Sequence, residues 1–154
     1  MQPHPPLTIR RASSADVPSL ADLLTELFTL EENFEPRPER QRAGLEALLA
    51  DTRRSVILVA DAGASPVGMA TLQTVLSTAE GGPVGWVEDI VVSTPWRRAG
   101  VGSALLEGVE SEARHRGLIR LQLVAQEDNT IARRFYTARG WRETSLGVLR
   151  RGLT

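Results

Sequence analysis

Val91-Val92-Ser93-Thr94-Pro95-Trp96-Arg97-Arg98-Ala99-Gly100-Val101-Gly102-Ser103-Ala104-Leu105-Leu106 is the stretch on which the reading of this chain turns. An apolar run ends, a polar loop with a proline follows, and two glycines stand where the next periodicity opens. Val101, Leu105, Val109 and Ala113 then recur every four residues, so the spacing predicts a strand, a short loop and a helix from about Gly100 to Arg116, with Gly117 as its stop. Residues without a Cβ let a ligand approach the backbone. The unpaired N–H groups and dipole of a first helical turn favour an anion such as pyrophosphate, and Arg97 and Arg98 add positive charge. The same glycines also fit a plainer role, relief of crowding at a strand-to-helix turn. A dinucleotide fingerprint is not met: after Gly100 and Gly102 its third glycine position is Leu105, and the chain lacks repeated strand-helix units.

Upstream, Leu7–Arg11 alternates like a first strand. Ser14 or Asp16 can cap a helix whose Val17, Leu20, Leu23, Leu24, Leu27 and Phe28 form one apolar face. Pro36 and Pro38 break that pattern, and a second helix spans about Glu39 to Ala50 with Leu45, Leu48 and Leu49 inward. Ser55–Ala60 and Val67–Val75 read as a hairpin, and the turn at Glu80–Pro83 leads into Trp86–Val92, so three antiparallel strands come in a row.

Downstream, Leu118–Ala125 reads as a strand, Thr130–Arg139 as a short helix closed by Gly140, and Trp141–Leu153 as one or two final strands. In the helix Ile131, Phe135 and Ala138 share a face expected to anchor the core, and Tyr136 points about a quarter turn away. Alone, Tyr136 reads as a half-buried structural tyrosine. The order of elements gives an α+β (mixed α/β) fold: a mostly antiparallel mixed sheet of six or seven strands, about four helices and one parallel strand-helix-strand crossover.

At 154 residues the chain suits one domain, expected over 7–154 behind a flexible tail at 1–6. A net charge of −1 supplies no basic field for nucleic acid. There is no cysteine, which excludes thiolate chemistry and thiolate metal sites; all 18 basic residues are arginine, which excludes lysine Schiff bases and a P-loop lysine. His4 falls in the tail and His115 in a polar stretch late in a helix, so histidine-based hydrolysis has little support. The start reads as neither signal peptide nor membrane anchor, and the cytoplasm is the expected compartment.

Two stretches together resemble the GNAT superfamily of N-acyltransferases. Arg97, Gly100 and Gly102 match its acyl-CoA signature; Asn129, Ala132, Phe135, Tyr136, Gly140 and Trp141 match its later one, in the right order and along a chain whose elements run the same way. The resemblance implies acetyl-CoA as acyl donor, no metal, and direct attack of a neutral amine on the thioester. It implies a pantetheine arm bonded like an extra strand to Ile90, Val91 and Val92, and a pyrophosphate on the backbone of Arg97, Arg98, Ala99, Gly100, Val101, Gly102 and Ser103. Asn129, Ala132 and Phe135 join the cofactor-binding set, and a main-chain N–H near Val92 would polarise the carbonyl.

Glu88 is the candidate base, with a structural pairing role equally open, and Tyr136 would protonate the departing thiolate. The acceptor site is expected at Phe28, Glu31, Glu32 and Phe34, an acidic and aromatic rim suited to a cationic amine, although such a charge run also suits a solvated loop. A small-molecule primary amine is the expected acceptor. A protein or peptide N-acetyltransferase and a non-catalytic acyl-CoA sensor are the alternatives. The apolar Leu146–Leu149 segment motivates a homodimer.

Overall fold

In the computed structural model, residues 5–154 are described. The elements are β1 (Thr8–Arg11), a 3-10 turn (Ser14–Asp16), α1 (Val17–Leu30), α2 (Pro38–Ala50), β2 (Ser55–Asp61), β3 (Pro66–Ser77) and β4 (Gly82–Val92). A second 3-10 turn (Thr94–Trp96), α3 (Val101–His115), β5 (Leu121–Leu123) and α4 (Thr130–Thr137) complete them. The chain divides into two compact units, one ending at Gln122 and the other spanning Leu123–Thr154.

In the first unit the sheet order follows the chain, β1-β2-β3-β4-β5. The pairs β1–β2, β2–β3 and β3–β4 are antiparallel, and β4–α3–β5 is the one parallel crossover. β2 lies between two neighbours with both faces covered, which is why Ser55–Ala60 reads as a continuous apolar run and is buried throughout. Ile57 and Val59 join Met69 of β3 and Val91 of β4 in a core closed by Val17, Leu20, Leu24 and Leu45 of α1 and α2. On the opposite face α3 buries Val101, Leu105, Leu106, Val109 and Ala113.

Gly68 lets the start of α3 come this close. A Cβ there would stand 3.0 Å from the Val91 carbonyl oxygen, 3.1 Å from Leu105 Cδ1 and 3.2 Å from Val101 Cγ1. At the start of α1, Asp16 accepts the Ser13 N–H at 2.7 Å and an Arg10 N–H at 2.8 Å. The hydrogen bonds from Arg10, helped by Ser13, hold its carboxyl down to about 2.

β4 carries one irregularity. Ala70 pairs with Ile90 and Leu72 with Val87, so Thr71 alone stands opposite both Glu88 and Asp89. This β-bulge breaks strict alternation and sets two successive carboxylates opposite one residue of β3.

Four expectations are corrected. Among the described residues the sheet has five strands, against six or seven expected. Trp141–Leu153 contains no strand: Leu146, Leu149 and Leu153 are 78%, 100% and 90% exposed. An apolar-polar alternation becomes a strand only where a ladder partner and a face to bury exist. Leu118–Ala125 is a strand only over Leu121–Leu123, since Leu118 still bonds back to Ala113 at the end of α3. Within Leu123–Thr154, α4 has no fully buried residue and Ile131 is 83% exposed, so the expected core-anchoring face is not formed. Phe135, Tyr136 and Trp141 pack on one another instead, with centroids 5.2 Å and 5.7 Å apart. Of the expected tail, residues 1–4, including His4, lie outside the described residues. No described helix is long and apolar enough to cross a membrane.

Candidate active site

The loop from β4 into α3 is held by the side chains around it and opened by its backbone. Glu26 of α1 accepts the Thr94 N–H at 2.8 Å and the Thr94 hydroxyl, and it pairs with Arg97 at 3.4 Å. Arg97 Nε also donates to the Val92 carbonyl at 3.1 Å. Its charge is therefore partly answered within the protein, while Arg98 is exposed. The backbone turns left-handed twice, at Arg98 (φ 62°) and at Gly100 (φ 83°), the N-cap of α3. A Cβ at Gly100 would meet no atom of the protein within 4 Å, so this side of the loop is open. Ala104 makes the first α-type bond, to the Gly100 carbonyl, which leaves the Val101 and Gly102 amides without an intrahelical partner.

Upstream of the loop, Val91 is buried in the core while Ile90 and Val92 are half-buried. The segment entering β5 bonds to β4 at Pro83 and Gly85, and β5 is three residues long against eleven for β4. β4 therefore runs on toward Val92 beyond the reach of so short a parallel neighbour.

A cavity of about 930 Å³ lies in the same unit, walled by α1, the loop after it, one face of α2, and β3 and β4. Phe28 and Phe34 line it with their rings 5.3 Å apart. Glu88 and Asp89 line it from the bulge. Of the other two residues nominated for this rim, Glu31 is half-buried and Glu32 exposed. Burial and then the Glu88 charge push the Glu31 carboxyl up.

Asp89 is the residue that sequence reasoning missed. Burial, then the Glu88 and Glu31 carboxylates, push its carboxyl up to about 7, against a weaker pull from the Thr71 hydroxyl. Its N–H donates to Thr71 Oγ1 at 3.0 Å, and Thr71 is fully buried. Glu88 differs: it is exposed and accepts the indole N–H of Trp86. The alternation carries no signal that separates Asp89 from Glu88: the bulge breaks it, so Val87 pairs with Leu72 and Val91 with Met69, on opposite faces of the sheet. A partly buried carboxyl beside two like charges marks a candidate functional group.

Residues 17–141 match the Acetyltransferase (GNAT) family. The chain belongs to this family. Among its relatives, an aminoglycoside N(6')-acetyltransferase type 1 of Stenotrophomonas maltophilia is 30% identical over 140 residues, covering 89% of this chain and 87% of the relative. An aminoalkylphosphonate N-acetyltransferase of Salmonella typhimurium (strain LT2) is 29% identical over 140 residues, covering 91% and 88%. Among solved structures, an integron cassette protein from the Cole Harbour Salt Marsh metagenome superposes with a TM-score of 0.82 at 26% identity, covering 95% of this chain and 90% of that one. An aminoglycoside N-acetyltransferase solved with CoA shares the fold at a TM-score of 0.82 and 20% identity, covering 97% and 96%.

As a GNAT acetyltransferase the chain is an acyltransferase that uses acetyl-CoA, and its loop fits the phosphate end of such a ligand. Two unpartnered amides of α3, the exposed Arg98 and the open side of Gly100 supply donors, charge and room. In the second unit, Asn129 spends its side chain on capping α4, accepting the Ala132 N–H at 3.0 Å. Phe135 is half-buried with the Arg139 guanidinium 4.0 Å over its ring. Burial pushes the Tyr136 hydroxyl up to about 12, so it keeps its proton at neutral pH.

Proposed function

We propose that this protein transfers the acetyl group of acetyl-CoA to a primary amine of a small molecule seated in the cavity beside β4. The observation that carries the proposal is the Asp89 carboxyl, pushed up to about 7 on the wall of an aromatic-lined cavity. An amine must lose a proton before it can attack, and a carboxyl ionising near neutral pH accepts it with little loss of driving force. The named activities of the two relatives, both acetylations of small amines, support the acceptor class.

Bound acetyl-CoA supplies a thioester carbon to which the amine nitrogen bonds as the C–S bond breaks. The α3 amides from Val101 onward and Arg98 hold the phosphates, Ile90 and Val92 offer main chain to the pantetheine arm, and Ile90–Val92 with Arg97–Ser103 form the donor side; Asn129, Ala132 and Phe135, which match the later family signature, belong to the other unit. Asp89 takes the ammonium proton at a carboxylate oxygen, directly or through water. Glu88, the base nominated from the sequence, keeps the neighbouring negative charge that favours Asp89 as a base and attracts the ammonium group. Tyr136 gives its phenolic proton to the departing sulfur, and the proton that the nitrogen sheds as the amide forms restores the phenol through solvent. Phe28 and Phe34 pack on the carbon skeleton of the acceptor, while Glu31 and Glu32 add to the acidic field at its rim. The exposed Leu146, Val148 and Leu149 support a homodimer, which light scattering across a concentration range tests.

A panel of amines with acetyl-CoA, followed by thiol release and by mass of the product, tests the reading. Thiol release that depends on the amine and yields an N-acetylated product is expected. Acetyl-CoA binding without transfer to any amine would favour a sensor.

A further inference from the structure

The wall of the cavity carries two poles of charge, and an ordinary amine needs only one of them. Glu88 and Asp89 form the acidic pole. Away from β4, Arg37, Arg40 and Arg54 line the same cavity. Arg37 is taken up by Glu35 at 3.0 Å and Arg54 by Asp51 at 2.8 Å, both acids of the same wall. The guanidinium of Arg40, exposed on the first turn of α2, has no hydrogen bond or ion pair among the described residues. With those two pairs set aside, one guanidinium faces the cavity along with two carboxyl groups.

The protein does not neutralise these groups against each other. An arginine within about 4–6 Å of a carboxyl pulls it down. The charges that act on Asp89 are those of Glu88 and Glu31, both acidic, and it goes up. Arg40 stands on α2, which packs on α1 and β2, whereas Glu88 and Asp89 stand on β4, two strands along the sheet from β2 and beyond β3, and all three line one cavity of about 930 Å³. That volume is near the upper end of small-molecule sites, which run to roughly 1,000 Å³, and it leaves room for a ligand that spans both poles.

We propose that the acceptor is a primary amine that also carries an oxyanion, a carboxylate or a phosphonate, with its amine at Glu88 and Asp89 and its oxyanion on the Arg40 guanidinium. Arginine suits this end because its planar fork meets two oxygens of either group at once. A polycationic acceptor would bring a second ammonium toward Arg40 and lose by repulsion. The inference rests on the proposed function, in which the cavity is the acceptor site.

The test uses matched compounds over a series of chain lengths: an ω-aminocarboxylate, an ω-aminoalkylphosphonate, the ω-aminocarboxamide and the diamine. kcat/KM with acetyl-CoA and calorimetric affinity are measured for each, with wild type and Arg40→Gln; acetyl-CoA binding checks that the variant is folded. Because Arg40 is exposed, the expected preference for the anionic acceptor over its amide is on the order of tenfold, carried in KM and affinity, with the diamine last. In Arg40→Gln that ratio shrinks toward one, and raised salt shrinks it in wild type. The carboxylate and phosphonate arms show which oxyanion is preferred. An amide equal to the anion, a diamine that outranks both, or a ratio unchanged in Arg40→Gln overturns the inference while leaving amine acetylation intact. If no compound releases thiol, the transfer reading fails; a charge ranking that survives in affinity still upholds the two-pole site, and its absence overturns that as well.

Discussion

The β4–α3 loop and the cavity beside β4 belong to one unit and share a strand, yet the first is made mainly of main chain and the second of side chains. At the loop, the decisive features are two left-handed residues, the free amides of a helix start and space where a Cβ is missing. At the cavity, they are a bulge and the side chains of α1, α2, β3 and β4 that converge on it. A main-chain site restricts which residues stand at fixed neighbouring positions, so it leaves a motif. A side-chain site draws on positions far apart in the chain and leaves none.

The contrast is broken most directly at Asp89. If the cavity depends on single side chains, Asp89→Asn lowers kcat/KM by about 10²–10⁴-fold, with acetyl-CoA affinity unchanged, as read by steady-state rates and a cofactor titration. The base must be ionised, so wild-type kcat/KM rises with pH through about 7, and this limb disappears in the variant. Stability moves the other way. A carboxyl whose folded pKa lies above its unfolded value destabilises the protein once both states would ionise, a cost absent below about 4 and complete above about 7. Asp89→Asn should thus add on the order of 1–3 kcal/mol of stability at pH 8, read as a higher melting temperature, and leave it nearly unchanged near pH 4. A variant that is both less active and more stable marks a functional group, not a structural one.

Tyr136→Phe asks whether the second unit also acts through a single side chain. The ring stays on Phe135 and Trp141 while the donor goes, so turnover falls about 10²-fold with cofactor affinity held. Unchanged turnover would mean that water supplies the proton.

The loop should respond to backbone geometry. Gly100→Val places a β-branched residue at φ 83° without any clash within the protein, which costs on the order of 1–2 kcal/mol or shifts the loop. Acetyl-CoA affinity by calorimetry should fall at least about tenfold. Affinity equal to wild type would make the glycine a matter of backbone conformation alone. The smallest effect is expected at Glu26→Gln, which keeps an acceptor for Thr94 and weakens a partly exposed ion pair with Arg97. A change in cofactor affinity of no more than a few-fold would keep the loop a main-chain device, and a much larger one would sharpen the role of its side-chain latch.

The fold was legible wherever burial and periodicity coincided. α1 buries Val17, Leu20, Leu23 and Leu24, α3 buries Val101, Leu105, Val109 and Ala113, and both hairpins form where the turns place them. It was not legible at the C-terminal end, where Leu146-Gly147-Val148-Leu149 alternates but forms no strand among the described residues. Nor was it legible at Ile131, which is 83% exposed.

By itself the sequence determined the order of the elements, the glycine-marked turn into α3 and the family. Each of these follows from constraints between neighbours: apolar spacing, a left-handed turn, a helix cap. Only the tertiary structure decided which carboxylate is perturbed. Glu88 and Asp89 are adjacent acids, equal on paper, and a strand of regular alternation would send one to each face. The bulge opposite Thr71 brings both to the cavity and leaves Asp89 half-buried beside two other negative charges. Desolvation and the crowding of like charges are properties of the folded space around a group, which no local pattern records.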